Sequence, residues 1–291
     1  MRTTVVVVTW RGREHITACL DALAEQDRPH RILVVDNASD DGSGDLARDH
    51  PTRPTILRLP ENTGYAGGIH AALQQCTTPF MAWLNDDAMP EPGWLSALED
   101  ALDADLTIGA ASSKLTALDG QVQSVGIRLT PLGYGVDVTD GEIFGFCGGA
   151  ALVRTSALRA VGGVPAEFFC YYEDTDTSYR LRKAGWRIVS VPKAEVRHVH
   201  GATAQPGSTS FHRWNERNHL LMLLRCAPLT KAAKELLRFA AITALIPVKN
   251  VPNAENYRIG LRLKVLGEVL AKAPWAIGSR VGRRSGTRSP I

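Results

Sequence analysis

MAWLNDDAMPEPGW, residues 81–94, joins an apolar run to Asn85, Asp86 and Asp87 and then to two prolines. The apolar part reads as a buried strand. A strand that ends on this trio delivers two carboxylates to one spot, where they repel each other. As an isolated loop tip the trio is a solvated turn. After a buried strand it reads as a site for a hard cation such as Mg²⁺ or Mn²⁺, which takes carboxylate oxygens and completes its shell with substrate phosphates.

The same strand logic extends outward. TTVVVVT (3–9), RILVVD (31–36), TILRL (55–59) and PFMAWL (79–84) are strand-length runs, and helical patterns cover roughly 13–26, 43–49, 65–75 and 92–104. Strands alternating with helices predict a parallel, doubly wound α/β sheet, with ligands at the carboxyl ends of its strands. Asp36 and the Asn85–Asp87 trio both fall at such ends. The stretch 105–210 is rich in glycine and predicts hairpins with a mobile loop; from 211 the pattern turns helical and basic, and 279–291 reads as a disordered tail.

Of 291 residues, 44% are hydrophobic and 22% charged, an ordinary globular balance. The net charge of +3 gives no basis for a nucleic-acid partner. Its distribution is uneven: from Cys226 onward there are 12 Lys and Arg against 3 Glu. A basic, amphipathic end on an acidic body predicts peripheral contact with an anionic membrane surface. The five cysteines have no CxxC spacing, which argues against a disulfide framework or structural zinc and for a reducing, cytoplasmic setting. TTVVVVT is too short for a signal peptide, and FAAITALIPV (239–248) is about half a membrane span.

Four further stretches could carry chemistry. VVDNASDDGS (34–43) is either a turn with a helix cap or a nucleotide pocket using Asp36. ENTGYAGG (61–68) places Gly64, Gly67 and Gly68 between a strand and a helix, where backbone can approach a nucleotide; the spacing is not GxGxxG, which disfavours hydride transfer. FFCYYEDTDTSYRLRKAGW (168–186) runs aromatic residues into Glu173, Asp174 and Asp176. The helix dipole explains the acids alone, but a carboxylate set against rings is desolvated, its pKa rises, and it suits general-base work. VRHVHGAT (196–203) puts His198 and His200 on one side of an extended segment, as surface groups or as ligands.

In this order VVVVTWRGREHITACLDAL, VVDNASDDGS, ENTGYAGG, WLNDDA, GGAALVRTSALRAVGG and YYEDTDTSYRLRKAGW resemble the family 2 glycosyltransferases, inverting enzymes of the GT-A fold, over residues 3–225. The likeness is greatest to their bacterial rhamnosyltransferase-like branch. The resemblance implies a catalytic domain over 1–210, with a nucleotide half to 104 and an acceptor half from 105, followed by a helical appendage over 211–278. It implies Thr9, Trp10, Asp36, Asn62, Gly64 and Gly67 around the nucleoside. The DxD motif falls on Asn85, Asp86 and Asp87 and departs from the pattern at Asn85, so Asp87 is the metal ligand, with Asn85 and Asp86 on the donor side. Asp174 becomes the base beside Glu173, and His198, with His200 in reserve, completes the metal shell. Arg217 is expected to reach a diphosphate.

The implied donor is a UDP- or dTDP-sugar, dTDP-rhamnose among them. The acceptor is a hydroxyl of a cell-surface glycan, a lipid-linked glycan or a secondary metabolite. A homodimer through the C-terminal helices is expected. The rival readings are a nucleotidyltransferase that makes activated sugars and a non-catalytic nucleotide-sugar binder. TWRGRE offers one glycine where the first rival needs a glycine-rich basic loop, and the acids at 173–176 argue against the second.

Overall fold

Every residue of β1 (Thr3–Thr9) is buried, as the unbroken TTVVVVT run predicts for a strand covered on both faces. The computed structural model describes residues 1–199, 207–248 and 254–281. Around β1 the chain lays down α1 (Ile16–Ala24), β2 (His30–Asp36), α2 (Ser43–Asp49), β3 (Thr55–Arg58), α3 (Gly64–Gln75) and β4 (Phe80–Asn85). It continues through β5 (Ala88–Pro90), α4 (Trp94–Ala104), β6 (Ile108–Thr116), β7 (Val122–Ser124), β8 (Gly126–Leu129) and β9 (Gly135–Val138). Then come β10 (Ala150–Arg154), α5 (Thr155–Ala160), α6 (Glu173–Lys183) and β11 (Arg187–His198), and the helices α7 (Thr209–Cys226), α8 (Leu229–Leu245) and α9 (Ile259–Val281).

The main sheet has the order β3-β2-β1-β4-β10-β6-β11-β5, with β7 added on β6. Strands β3, β2, β1 and β4 are mutually parallel, and β6 is parallel to β11. Strand β10 runs antiparallel to both β4 and β6, so the sheet is mixed but mostly parallel, as expected. The stretch 105–210 does form the hairpin β8–β9, but it also supplies β6, β10 and β11 to the main sheet. Strand order reverses beside β1, and register sets Thr9 opposite Asp36 and Val8 opposite Asn85. Three carboxyl ends therefore converge on one crevice, the place where such sheets bind ligands.

One face of the sheet packs Val5, Val7 and Leu84 against Ile16 and Leu20 of α1 and Trp94 of α4. On the other face α3 lies so close that a Cβ at Gly68 would stand 2.6 Å from the Val8 side chain. Gly68 is thus a packing glycine.

The chain divides into two compact units: one holds Met1–Leu129 and the chain from Gly135 through β11, the other Thr130–Tyr134 and the helices α7–α9. In the second unit the Tyr134 ring stacks on His219 at 3.8 Å, and its hydroxyl reaches Glu216. Helix α9 continues to Val281, and 282–291 lie outside the described residues. Among the described residues no helix is long and apolar enough to cross a membrane.

Candidate functional site

At the end of β2, Asp36 is fully buried, and its carboxylate accepts from the Ser39 backbone N–H at 2.9 Å and from the Arg58 guanidinium. Both oxygens are engaged within the protein, so Asp36 shapes the loop that follows it. The adjoining Asn37 donates to the Gly64 carbonyl and accepts from Thr63 N. Asn62 accepts from Gly64 N at 2.8 Å. These bonds fasten the start of α3 to the end of β2. Across the crevice the loop after β1 is tied the same way: Arg11 N–H donates to Ser39, and the Arg11 guanidinium pairs with Asp40 while lying 5.0 Å over the Trp10 ring. Thr9, Trp10, Asp36, Asn62 and Gly64 thus lie on loops at the ends of β1 and β2 and the start of α3 that these bonds tie to one another. A Cβ at Gly67 would instead meet the Thr63 side chain, which makes it a packing position.

Beyond β4 the three polar residues part company. Asn85 Nδ2 lies 3.2 Å from His198 Nε2, and Asp87 Oδ1 lies 3.2 Å from the same nitrogen. The other side of that ring is fixed: Gln123 Nε2 donates to the His198 carbonyl, so Gln123 Oε1, 2.9 Å from Nδ1, must accept from it. In the neutral ring the proton then sits on Nδ1 and the lone pair of Nε2 faces the Asp87 carboxylate. The Asn85 amide is within donating reach of that lone pair, and a metal ion between ring and carboxylate would be held by both. Burial acts to raise the Asp87 carboxyl, but the hydrogen bond and charge of His198, together with His15, hold it below the ordinary range.

Asp86 points the other way, toward Thr9 and Gly12, where a Cβ on Gly12 would stand 2.1 Å from its Oδ2. Burial pushes the Asp86 carboxyl up to about 7, with Thr9 opposing the shift and Asp87 adding to it. Thr9 Oγ1 stands close enough to exert that influence yet completes no hydrogen bond of ordinary geometry, and it is buried. A buried hydroxyl that completes no hydrogen bond, beside the Asp86 carboxylate, is what a ligand site leaves behind. Among the described residues no set of three or more His, Cys, Asp or Glu side chains converges on a point. A divalent cation held by Asp87 and His198 would thus take its remaining ligands from substrate oxygens, which suits Mg²⁺ or Mn²⁺ with a diphosphate.

Gly148 and Gly149 connect this cluster to the acids of α6. Asn85 N–H donates to the Gly149 carbonyl, and Gly148 N–H donates to Asp174 Oδ2 at 2.9 Å. Asp174 Oδ1 accepts from Thr175 N and Oγ1. That leaves a lone pair on Oδ2, and Asp174 keeps an edge at the surface although protein atoms surround its carboxyl group. Burial raises Asp174 to about 6, against the backbone donors, and burial with the charge of Asp174 raises Glu173 to about 8. Glu173 Oε2 is buried without a partner. Burial and the neighbouring charge act more strongly on Glu173 than on Asp174, whose donors oppose the shift, so Asp174 is the first of the two to ionise and the one suited to act as a base.

The approach to α6 is strained. Phe169, Tyr171 and Tyr172 all have positive φ (66°, 69° and 70°), a conformation costing on the order of 1–3 kcal/mol per residue that concentrates at functional sites. It is held by Phe169 O, which accepts from Ala66 N at the start of α3. Tyr65 of that helix donates to the Gly148 carbonyl at 2.7 Å. Helix α3 thereby braces both the strained turn and the diglycine.

Gly12, Asn37, Tyr65, Gln123, Gly148 and Gly149 were not singled out from sequence as site residues. Their roles depend on partners far along the chain, and only the glycines gave any signal. His200 lies outside the described residues. Arg217 belongs to the second unit, where it is buried, 3.4 Å from Glu268 and bonded to Asn218.

Comparison with known proteins gives the family and the fold. The chain is 28% identical over 241 residues to the N-acetylglucosaminyl-diphospho-decaprenol L-rhamnosyltransferase of Mycobacterium tuberculosis, spanning 70% of this chain and 78% of that one. It is 32% identical over 180 residues to the pre-mycofactocin glycosyltransferase of the same organism, spanning 58% and 37%. Among solved structures, a Pyrobaculum calidifontis mannosyltransferase in complex with GDP-Man and Mn²⁺ superposes with a TM-score of 0.57 at 20% identity, over 99% of this chain and 76% of that one. S. aureus TarS with UDP gives 0.59 at 18%, over 100% and 94%. At these identities the likeness to the solved structures is one of fold, and the fold is of the GT-A type. Residues 4–162 match the sequence model described as "Glycosyl transferase family 2", and the chain belongs to that family.

Proposed function

We propose that the protein is an inverting, metal-dependent glycosyltransferase. It moves a sugar from a UDP- or dTDP-linked donor, dTDP-rhamnose in the first instance, to a hydroxyl of a lipid-linked or cell-surface glycan or of a small-molecule acceptor. The observation that carries this reading is the division of labour across Gly148–Gly149. On one side stand Asn85, Asp87 and His198, a set suited to a cation and a diphosphate. On the other stands a single ionised carboxylate suited to a base. A retaining hydrolase would set two carboxyls on either side of one bond, and these clusters have different chemistry.

In the reaction Asp174 Oδ2 receives the proton of the acceptor hydroxyl as that oxygen attacks the anomeric carbon, and the nucleoside diphosphate departs from the opposite face. The rim formed by Thr9, Trp10 and the Asn62–Gly64 turn holds the nucleoside, with Asp36 and Asn37 keeping the rim in shape. Asp87 and His198 would hold Mg²⁺ or Mn²⁺, which when bound supplies Lewis-acid stabilisation of the leaving diphosphate. A neutral Glu173 beside Asp174 lets the base ionise without a second charge. The rhamnosyl donor and lipid-linked acceptor are supported by the name of the mycobacterial relative. The nucleotidyltransferase reading is not favoured, since the named relatives are glycosyltransferases.

Asp174→Asn tests the proposal. Turnover should fall about 10²–10⁴-fold while Mn²⁺-dependent UDP or dTDP binding is kept. Near-normal turnover would remove Asp174 as the base, and retention of configuration in the product would refute inversion.

A further inference from the structure

The outer sides of α8 and α9 are apolar where a water-exposed helix is normally polar. On α8 and the turn that follows it, Leu237 is 71% and Val248 79% exposed, with Leu245 on the same side. On α9, Leu263 (57%), Leu270 (63%) and Ile277 recur every seven residues along one face. The inner sides bury Phe239, Leu261, Val265 and Val269 together with a few polar groups. Glu235, Thr243 and Arg262 are 3%, 5% and 6% exposed, and Arg262 donates to Thr243 Oγ1 and the Phe239 carbonyl. Both helices are thus apolar on their outer as well as their inner sides, and the exposed leucines are in excess of what the core uses, which calls for an apolar partner.

Charge says what kind of partner. Both carboxylates of the two helices turn away from the outer face: Glu235 is buried beside Arg238, and Glu268 pairs with Arg213. Lys234 and Lys264 remain exposed. Near the start of the α9 stripe a cavity of about 440 Å³ is lined by Arg213, Arg258 and Lys264 together with Thr209 and Ser210, with no carboxylate in its wall. Arg213 and Arg258 are each paired with a glutamate, Glu268 and Glu255, so the uncompensated charge of the rim is that of Lys234 and Lys264. Leucines rimmed by lysines match the boundary between acyl chains and anionic headgroups. A second copy of the chain fits less well, because a two-fold contact on this face would bring the same lysines together.

We infer that the outer face of α8 and α9 seats on an anionic lipid surface, with Leu237 and Leu263 entering the acyl region and the Arg213–Arg258–Lys264 cavity at the level of the phosphates. The face lies wholly in the second unit, so this contact and the transfer chemistry can fail separately. The test is co-sedimentation of the full chain with vesicles of phosphatidylcholine alone or mixed with phosphatidylglycerol. Binding to the mixed vesicles at low salt is expected, weakening as salt rises. The double variant Leu237→Ser/Leu263→Ser leaves the charge unaltered and should lose about tenfold or more in affinity, with its melting temperature unchanged. Lys264→Glu should weaken binding as well. No binding to anionic vesicles, or equal binding by wild type and the double variant, would overturn the inference. So would a solution dimer that the double variant dissociates, which would give the face to a second copy.

Discussion

His198 Nε2 faces the Asp87 carboxylate at 3.2 Å, while Gln123 holds the opposite nitrogen of the ring. The two residues come from the ends of β11 and the β4–β5 turn, and nothing in their local sequence couples them. With Nδ1 committed to Gln123, Nε2 is left to Asn85 and to whatever lies between ring and carboxylate, a place that asks for a cation.

That requirement gives the first prediction. Gln123→Leu should weaken Mn²⁺-dependent nucleotide binding by about ten- to a hundredfold, the usual cost of removing the group that orients a metal-binding imidazole. Asp87→Asn should abolish the metal dependence altogether. Isothermal calorimetry with UDP and dTDP, with and without Mn²⁺, reads both effects. Wild-type affinity indifferent to metal would remove the cation from this contact.

Glu173 gives a prediction in pH. Its carboxyl is raised to about 8, first by burial and then by Asp174. A carboxyl raised in the folded state contributes stability while protonated. That contribution is complete below the unfolded value of about 4.3 and is lost as pH climbs through the folded value. Wild type should therefore lose stability between about pH 4.5 and 8 in a way that the permanently neutral Glu173→Gln does not. Urea unfolding at both ends of that window should move the difference toward the variant by on the order of 1–3 kcal/mol. A difference independent of pH would mean that Glu173 ionises normally.

Gly64 tests the brace between α3 and the strained turn. Its φ is +72°, and a Cβ there would stand 2.1 Å from the Phe169 carbonyl oxygen. Gly64→Ala should lower stability by more than about 1 kcal/mol and depress turnover as well, because the displaced turn leads directly into Glu173 and Asp174. A thermal melt with a turnover assay reads both. Lost stability with normal turnover would separate the turn from the chemistry.

The strongly apolar strands were legible. β1, β2 and β4 fall where their β-branched and aromatic runs place them, and α2 occupies the whole of the predicted 43–49. β6 was not, because IGAASSKLT hides a strand behind small side chains. Its neighbours explain the choice of residues: Ser112 accepts from Cys147 N, Ser113 accepts from Trp94 Nε1, and a Cβ on Gly109 would meet Trp186. The acids and His198 could be read because carboxylates and imidazoles announce themselves. Gln123 and Asn37 could not, since an amide gains meaning only from a partner that the fold brings to it.

Gly148 and Gly149 have a mechanical consequence. Their backbone takes a main-chain bond from Asn85, a hydroxyl bond from Tyr65 and gives an N–H to the Asp174 carboxylate. The span from the end of β4 to the start of α6 is therefore gauged by two residues that have no side chains of their own to repack. The loops around this span can be remodelled while the diglycine keeps its anchors.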